Sequence, residues 1–237
     1  MQNVYENLFL AEIILENQKD FNILFIQELL WSVVRSILST ILANGDKLVG
    51  IPNHLSWITF VRNLYKCNKH PRVLMYINAR LIFLSFSFRK EIYNHKDINL
   101  VSFTNSSSIL DIYPDNHQLA LKYLKDTEAD LNNVIIMSSD FNIRNSDWNP
   151  SFPHHLMHAD HLLEIADLLN LERLLSINLV PNRYTDNPNN SNSVIVLIFL
   201  RGYSEEFNTH LILPDMRGLF DYSPLIINIV IQEELIQ

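Results

Sequence analysis

Cysteine is almost absent from this sequence. The single cysteine, Cys67, excludes an internal disulfide and a zinc site built on several cysteines. No apolar run approaches the roughly 18 residues that a membrane-spanning helix needs. The first residues also lack the basic and apolar regions of a secretory signal. We therefore predict an intracellular protein that is neither secreted nor bound to a membrane.

Glycine and basic charge are also scarce. With 4 glycines in 237 residues, most turns must be formed by Asn, Asp, Ser and Pro. The 18 Lys and Arg residues stand against 26 Asp and Glu residues, which gives a net charge of −8, the opposite sign to a typical nucleic-acid-binding surface. Between residues 61 and 96, however, only Glu91 opposes eight basic residues, so this segment could face a phosphate backbone or could be an ordinary solvated surface. The eight are Arg62, Lys66, Lys69, Arg72, Arg80, Arg89, Lys90 and Lys96.

The apolar residues, at 48% of the chain, are enough for a single large core, and we predict one domain over residues 1–237. Helical periodicity predicts helices at residues 6–18, 30–41, 119–131 and 159–169. Short apolar runs predict strands at residues 21–28, 57–62, 72–78, 98–103, 108–113, 133–138, 194–200, 207–213 and 225–231. Strands outnumber helices and hairpin-length spacings recur. We therefore predict an α+β fold, a four-layer αββα sandwich of two mostly antiparallel sheets packed face to face with helices outside.

Polar side chains follow or precede several of these strands. Glu28 and Tyr113 each end an apolar strand, Asp140 and Asn142 follow a third, and Asp221 precedes the last. An acidic residue at a strand end is usually just the start of a turn. Catalytic groups, however, also tend to lie on loops that a rigid sheet holds in place. Carboxylate and amide oxygens are the ligands that Mg²⁺ and Mn²⁺ prefer.

The order of these residues along the chain resembles the endonuclease/exonuclease/phosphatase superfamily. Within it, the sequence is most similar to the endonuclease domains of non-LTR (LINE-type) retroelements, over nearly the whole chain. The motifs that carry the resemblance are Gln2-Asn3, Gln27-Glu28, Ile112-Tyr113-Pro114, Ser139-Asp140-Phe141-Asn142, Asn145-Ser146-Asp147-Trp148 and Asn192-Ser193.

The resemblance implies a Mg²⁺-dependent or Mn²⁺-dependent phosphodiesterase whose ancestral substrate is DNA, and the nucleus is then one location to consider. Glu28 would bind the metal, Asp140 would orient the attacking water, and Asn142 would hold the phosphate. By resemblance, the catalytic residues are Tyr113, Asp140, Asn142 and Asp221, and the metal ligands are Asn3, Glu28 and Asp221.

The sequence also departs from the family pattern. Tyr222 stands where the family has a catalytic His, and Val196 stands where it has the Asp that pairs with that His. Ser139 replaces the motif glycine. Because Asn3 lies almost at the start of the sequence, we also expect most of the first strand of the family fold to be missing. These departures predict a degenerate copy with impaired activity, since a Tyr ordinarily titrates near pH 10 and His near 6.5.

Two other functions remain open. One is a non-catalytic remnant that binds nucleic acid or protein, and the other is a phosphatase or lipid phosphodiesterase of the same fold, because a fold alone does not decide the substrate. A cluster of four histidines could bind a transition metal, although a polar loop leading into a helix is the simpler interpretation. These four are His154, His155, His158 and His161. The sequence leaves the oligomeric state undecided.

Overall fold

The elements of the fold, in a computed structural model of the protein, follow the apolar runs of the sequence closely. The structure describes residues 15–16, 22–27, 40–41, 47–48, 54–60, 72–84, 86–88, 95–103, 107–114, 119–127, 131, 133–141, 143, 145–149, 157–173, 196–202, 209–212 and 225–228. The strands are β1 (Ile23–Gln27), β2 (Thr40–Ile41), β3 (Lys47–Leu48), β4 (Trp57–Phe60), β5 (Val73–Asn78), β6 (Phe86–Phe88), β7 (Ile98–Phe103), β8 (Ser108–Ile112), β9 (Val134–Asp140), β10 (Glu172–Arg173), β11 (Val196–Leu200), β12 (Thr209–Ile212) and β13 (Leu225–Asn228). The helices are a 3-10 helix (Ala79–Leu84), α1 (Leu119–Asp126) and α2 (Met157–Leu168).

The smaller of the two main sheets has three strands, in the order β1, β5, β4. Both pairs are antiparallel, and β5 lies in the centre with all six of its residues buried. Its sequence, Val-Leu-Met-Tyr-Ile-Asn, is apolar almost throughout because both of its faces are covered. Gln27, the last residue of β1, pairs with Val73 at the start of β5.

The larger sheet has six strands, in the order β10, β11, β9, β8, β7, β6. The β8–β9 pair is parallel and the other pairs are antiparallel. A parallel pair needs a long crossover connection, and α1 lies between these two strands in the chain. As a result, the carboxyl ends of β8 and β9 lie at the same edge of the sheet.

Apolar side chains fill three layers of contact. Between the two sheets, Met75 and Ile77 of β5 pack against the β7, β8, β9 and β11 residues Val101, Phe103, Ile109, Ile135, Ile136, Ile198 and Leu200. On the other face of the larger sheet, α1 and α2 bury Leu121, Leu124, Leu162 and Ile165. On the outer face of the smaller sheet, Leu15 packs with Trp57, Leu74 and Tyr76.

The predicted four-layer αββα sandwich is confirmed. Residues 15–16 are helical on the outside of the smaller sheet, and Trp57 Nε1 donates a hydrogen bond of 3.0 Å to Leu15 O there. The two sheets form the inner layers, and α1 and α2 form the fourth. Among the residues that the structure describes, no helix has both the length and the apolar character to cross a membrane.

Two helix predictions were wrong in part. The helix predicted over residues 119–131 ends at Asp126, where the Thr127 hydroxyl donates to Tyr123 O at 2.8 Å and the Thr127 amide to Leu124 O at 3.1 Å. These two bonds satisfy carbonyls of the last turn without a glycine. The helix predicted over residues 30–41 is contradicted at its end, because Thr40–Ile41 pairs with Lys47–Leu48 as a strand. Strands β3, β6 and β10 and the 3-10 helix were not predicted at all.

Candidate active site

Four strands of the sandwich bring residues of the sequence motifs, or residues that depart from the family pattern, to one edge. Asp140 ends β9, and Tyr113 directly follows β8, the parallel neighbour of β9. Val196 begins β11 and lies directly across from Asp140 in the antiparallel register. Gln27 ends β1 in the other sheet and reaches the same place. Strand direction, register and the stacking of the two sheets therefore gather residues that are far apart in the sequence.

Gln27 bridges the two sheets at this edge. Its Nε2 donates to Asp111 Oδ1 at 3.0 Å and to Ile112 O at 3.4 Å, both on β8. Its Oε1 accepts a hydrogen bond from the backbone amide of Asp140. The amide N–H of Asp140 can only donate, so it fixes which end of the Gln27 side chain carries the oxygen. One side chain thus holds the end of β1 against β8 and β9.

Asp111 lies in the middle of a polar row inside the sandwich. Its register partners are Asn99 on β7 and Ser138 on β9, and all three side chains are buried. Burial raises the pKa of Asp111 well above its usual range, and the hydrogen bond from Gln27 lowers it by less. Among the described residues, Asp111 Oδ2 has no hydrogen-bond partner. Asn99 Oδ1 also has none, although Asn99 Nδ2 donates to Phe60 O at 2.8 Å.

Tyr113 is held at the edge by a charged cluster. Its backbone amide donates to Asp97 O at 2.8 Å, and the Arg72 guanidinium lies 4.6 Å from the centre of its ring. Arg72 Nη2 donates to Asp97 Oδ2 at 2.6 Å, and Lys96 Nζ lies 2.8 Å from the same oxygen. Burial would raise the pKa of Asp97, but the hydrogen bonds and positive charges of Arg72 and Lys96 outweigh it and lower that pKa.

The basic segment of residues 61–96 is partly committed to such internal contacts. Arg72 and Lys96 both contact Asp97, and Arg80 donates to Asn22 Oδ1 at 2.7 Å through Nη2 and 3.1 Å through Nε. The other five basic residues lie outside the described part of the chain. The three basic residues that are described therefore make hydrogen bonds within the fold, although their side chains are also partly or fully exposed to solvent.

The loop after Asp140 is built around a buried tryptophan. Trp148 Nε1 donates to Ile143 O at 2.9 Å, and the Trp148 ring is almost fully buried. The Arg173 guanidinium lies 5.3 Å from the centre of that ring, and its Nη2 donates to Asp147 O at 3.2 Å. Trp148 is therefore a core residue that anchors the loop.

Three solved structures resemble the whole architecture. The endonuclease domain of TRAS1, a telomere-specific non-LTR retrotransposon, matches with a TM-score of 0.60 at 17% identity, over 94% of this chain and 92% of that one. The AP endonuclease LMAP from Leishmania major matches with a TM-score of 0.60 at 10% identity, over 94% and 84%. Humanized D. rerio TDP2 with 14 mutations matches with a TM-score of 0.50 at 11% identity, over 94% and 90%.

The chain has an endonuclease/exonuclease/phosphatase-type fold. The predicted resemblance is thus confirmed at the level of the fold. The sequence itself matches no protein-family model and no curated protein. Since all three identities are below 25%, the likeness establishes the architecture, and the chemistry must be argued from the residues.

On this fold, the structure places two of the predicted site residues, Tyr113 and Asp140, at a common edge. The other four, Asn3, Glu28, Asn142 and Asp221, lie outside the described residues. Glu28 directly follows Gln27, whose position at this edge is described. Within the described ranges, no three His, Cys, Asp or Glu side chains form a metal-binding group.

The histidine cluster is only partly described. His154 and His155 lie outside the described residues, whereas His158 and His161 lie on α2, and His161 is exposed. The interpretation of a polar segment leading into a helix agrees with this, because α2 begins at Met157.

Two of the predicted departures from the family pattern lie at or beside Asp140. Val196 puts an apolar side chain opposite Asp140, at the position where the sequence resemblance predicts an Asp. Ser139 is fully buried, and its Oγ has no hydrogen-bond partner among the described residues. A glycine at this position would bury no hydroxyl, so the serine adds a desolvation cost next to the site. Tyr222 lies outside the described residues.

Sequence reasoning missed Asp111 and the bridging role of Gln27. The available signal was an acidic residue inside the otherwise apolar stretch Ile109-Leu110-Asp111-Ile112. The sequence-based candidates were polar residues at the ends of strands. Asp111 lies within a strand and faces the interior of the sandwich, so it was not among them.

Proposed function

We propose that this chain is an endonuclease domain of the non-LTR retroelement type, acting on DNA, with impaired phosphodiester hydrolysis. One observation carries the proposal. On a fold shared with the TRAS1 endonuclease domain, Tyr113 and Asp140 lie at one edge, together with Gln27, the residue before Glu28. The retroelement-type loop motif Asn145-Ser146-Asp147-Trp148 favours this choice over a phosphatase or lipid phosphodiesterase.

The carboxyl group of Asp140 at the edge, with the oxygen donors that Glu28, Asn3 and Asp221 would supply, would suit a divalent metal of the Mg²⁺ type. Asp140 is a carboxylate there, and Glu28 and Asp221 would add two more, with an amide oxygen from Asn3. Glu28, Asn3 and Asp221 would hold the metal. When bound, Mg²⁺ or Mn²⁺ offsets the negative charge that develops on the phosphate oxygens during hydrolysis.

The chain's own residues would share the remaining work. Asp140 would hold a water molecule in line with the phosphorus, and the bridge from Gln27 fixes the backbone that carries it. Asn142, two residues further along, would hold the phosphate through its amide. Tyr113 would stand beside them, with its ring against Arg72 and its backbone on Asp97.

Impairment follows from two positions. Val196 cannot supply the carboxylate that would orient a His, and Tyr222 stands in place of that His. Loss of an acid/base group typically lowers the rate on the order of 10²–10⁴-fold. Since the two residues act as a unit, the combined loss should be close to the loss from either one.

Nicking of supercoiled plasmid in the presence of Mg²⁺ tests the proposal. We expect slow nicking, on the order of 10²–10⁴-fold below that of the TRAS1 domain, and its loss in Glu28→Ala and in Asp140→Asn. Glu164→Gln, a change to an exposed residue on α2, is the control and should leave the rate unchanged.

Two outcomes contradict the proposal in different ways. Nicking as fast as that of the TRAS1 domain, with loss in Glu28→Ala, would reject the impairment and keep the nuclease. Salt-dependent DNA binding with no nicking at any enzyme concentration would instead identify a non-catalytic binding domain.

A further inference from the structure

The two oxygens of the buried Asp111 carboxyl group differ, because one accepts a hydrogen bond and the other does not. Oδ1 accepts from Gln27 Nε2 at 3.0 Å. Oδ2 is buried and has no partner among the described residues. A carboxylate in this state would carry its charge into the apolar space between two sheets, at a high cost in free energy.

Asn99, the register partner of Asp111 on β7, also has a buried oxygen without a hydrogen bond among the described residues. Asn99 Nδ2 donates to Phe60 O at 2.8 Å, and a carbonyl oxygen can only accept, so the amide orientation of Asn99 is fixed. Asn99 Oδ1 is therefore left as an acceptor, and it too is buried without a partner among the described residues.

These two unsatisfied acceptors belong to directly paired residues. Asn99 and Asp111 are register partners in the antiparallel β7–β8 pair, and such partners have their side chains side by side on one face. A single proton on Asp111 Oδ2 would satisfy both oxygens, because the resulting O–H would donate to Asn99 Oδ1. It would also remove the buried charge.

We propose that Asp111 is a positioning residue that works as a neutral carboxylic acid. Its own proton is donated to Asn99, and its other oxygen holds Gln27, which in turn holds the backbone amide of Asp140. This role rests on the proposed function. The hydrogen bonds from Asp111 through Gln27 end at Asp140, the residue that would orient the attacking water.

The surroundings of Asp111 agree with a neutral group. The titratable groups on the flanking strands are Asp140, two residues beyond the register partner Ser138 on β9, and Asp97 before β7. Both are acidic, and the cations Arg72 and Lys96 contact Asp97. The residues facing Asp111 from β1 and β7, Gln27 and Asn99, are uncharged amides.

Asp111→Asn and Asp111→Leu separate the two parts of the proposal. Asparagine keeps an oxygen for Gln27 and supplies an N–H for Asn99, but it cannot ionise. Leucine removes both bonds. Ser108→Ala is the matched control on the same strand, since it removes a buried 2.8 Å hydrogen bond to Ser102 far from Asp140.

The protonation state is read directly by infrared difference spectroscopy. At neutral pH, the wild type minus Asp111→Asn spectrum should contain the carbonyl stretch of a protonated carboxylic acid. A carboxylate band in its place would overturn the neutral acid, including the case in which a buried water bridges Asn99 and an ionised Asp111.

The pH dependence of stability gives an independent check. An acid with a raised pKa in the folded state binds more protons folded than unfolded, from the ordinary carboxyl pKa of about 3.9 upwards. The stabilisation is therefore full at low pH and is lost as the pH rises through the folded-state pKa. The urea midpoint of the wild type should fall relative to that of Asp111→Asn over this range. A constant difference would contradict the proposal.

Amide hydrogen exchange measures the positioning. The Asp140 amide should exchange on the order of tenfold faster in Asp111→Leu, the effect of one weakened hydrogen bond, and at the wild-type rate in Asp111→Asn and Ser108→Ala. If Asp111→Leu fails to fold, Gln27→Met, which removes the bridging amide, serves in its place. If the Asp140 amide exchanges at the wild-type rate in Asp111→Leu, or in Gln27→Met where that variant is used, the positioning role is overturned.

Activity then separates this proposal from the proposed function. In a protein that nicks DNA, Asp111→Leu should lower kcat with little change in KM, and Asp111→Asn should restore it. An unchanged kcat in Asp111→Leu would overturn the positioning role. A wild-type protein that does not nick would reject the proposed function, while the infrared and exchange measurements still decide the state and role of Asp111.

Discussion

Two buried aspartates, Asp97 just before β7 and Asp111 within β8, have opposite surroundings. Asp97 faces Arg72 and Lys96, which outweigh its burial and lower its pKa. Asp111 faces the amides of Gln27 and Asn99, and burial raises its pKa. At the residue scale, the same side chain is therefore a charged anchor in one place and, as we propose, a neutral hydrogen-bonding group in the other.

Asp97→Asn should destabilise the protein at neutral pH by about 3 kcal/mol, near the lower end for breaking a buried ion pair, because Arg72 and Lys96 remain partly exposed. The lowered pKa means that Asp97 stabilises the fold above its ordinary pKa of about 3.9 and loses this effect as the pH falls. Urea denaturation at neutral pH and at about pH 3 should show the difference from wild type shrinking in acid.

The control for this change is the ion pair between Lys125 and Glu164, at 2.7 Å but on the exposed surface. Glu164→Gln should leave the urea midpoint unchanged, because solvent screens such pairs. An effect as large as that of Asp97→Asn would show that burial is not what gives Asp97 its importance.

At the scale of elements, strands were easier to predict than their ends. The apolar runs located β1, β5, β7 and β9 because burial, which is complete in β5, β7 and β9 and partial in β1, leaves most of their residues apolar. The end of α1 was not predicted, because Thr127 closes the helix with its hydroxyl and no glycine marks the stop in the sequence. Strand β6, Phe86–Phe88, was missed because three residues are too few to show a period.

The helix α2 offers a matched pair of leucines. Leu162 is fully buried against the larger sheet, whereas Leu168 is 45% exposed on the same helix. Leu162→Ala should cost about 3 kcal/mol, the usual effect of a cavity in a core, and Leu168→Ala should cost far less. Thermal or urea unfolding of both variants measures this. Equal costs would mean that α2 does not pack on the sheet as described.

At the scale of the whole molecule, the candidate site exists only because distant segments meet. The sequence identified Tyr113 and Asp140 from their motifs, and their proximity follows from the parallel β8–β9 pair. It could not show that Gln27 crosses between sheets to Asp111, because that contact depends on how two sheets stack. Nor could it show that Val196 lies directly opposite Asp140, which depends on register.

Restoring both altered positions should revive hydrolysis. Val196→Asp together with Tyr222→His should raise plasmid nicking on the order of 10²-fold or more, the effect of one acid/base group. Val196→Asp alone should not, because it sets a second carboxylate opposite Asp140 without a His to pair with it.

Val196→Asn together with Tyr222→His is the control for this test, since it has the same shape without the charge. If the double restoration stays inactive while remaining folded, the defect lies at positions other than these two.

The Gln27 bridge also constrains the order of events during folding. Its bonds to Asp111 and to the Asp140 amide join residues 84 and 113 positions apart. On a ribosome, β1 and β5 can pair soon after synthesis, but the bridge must wait until β9 has emerged. Such distant pairing slows folding, because loop-closure entropy is lost before the contact forms. The edge that carries the candidate site is therefore expected to be among the last parts of the sandwich to assemble.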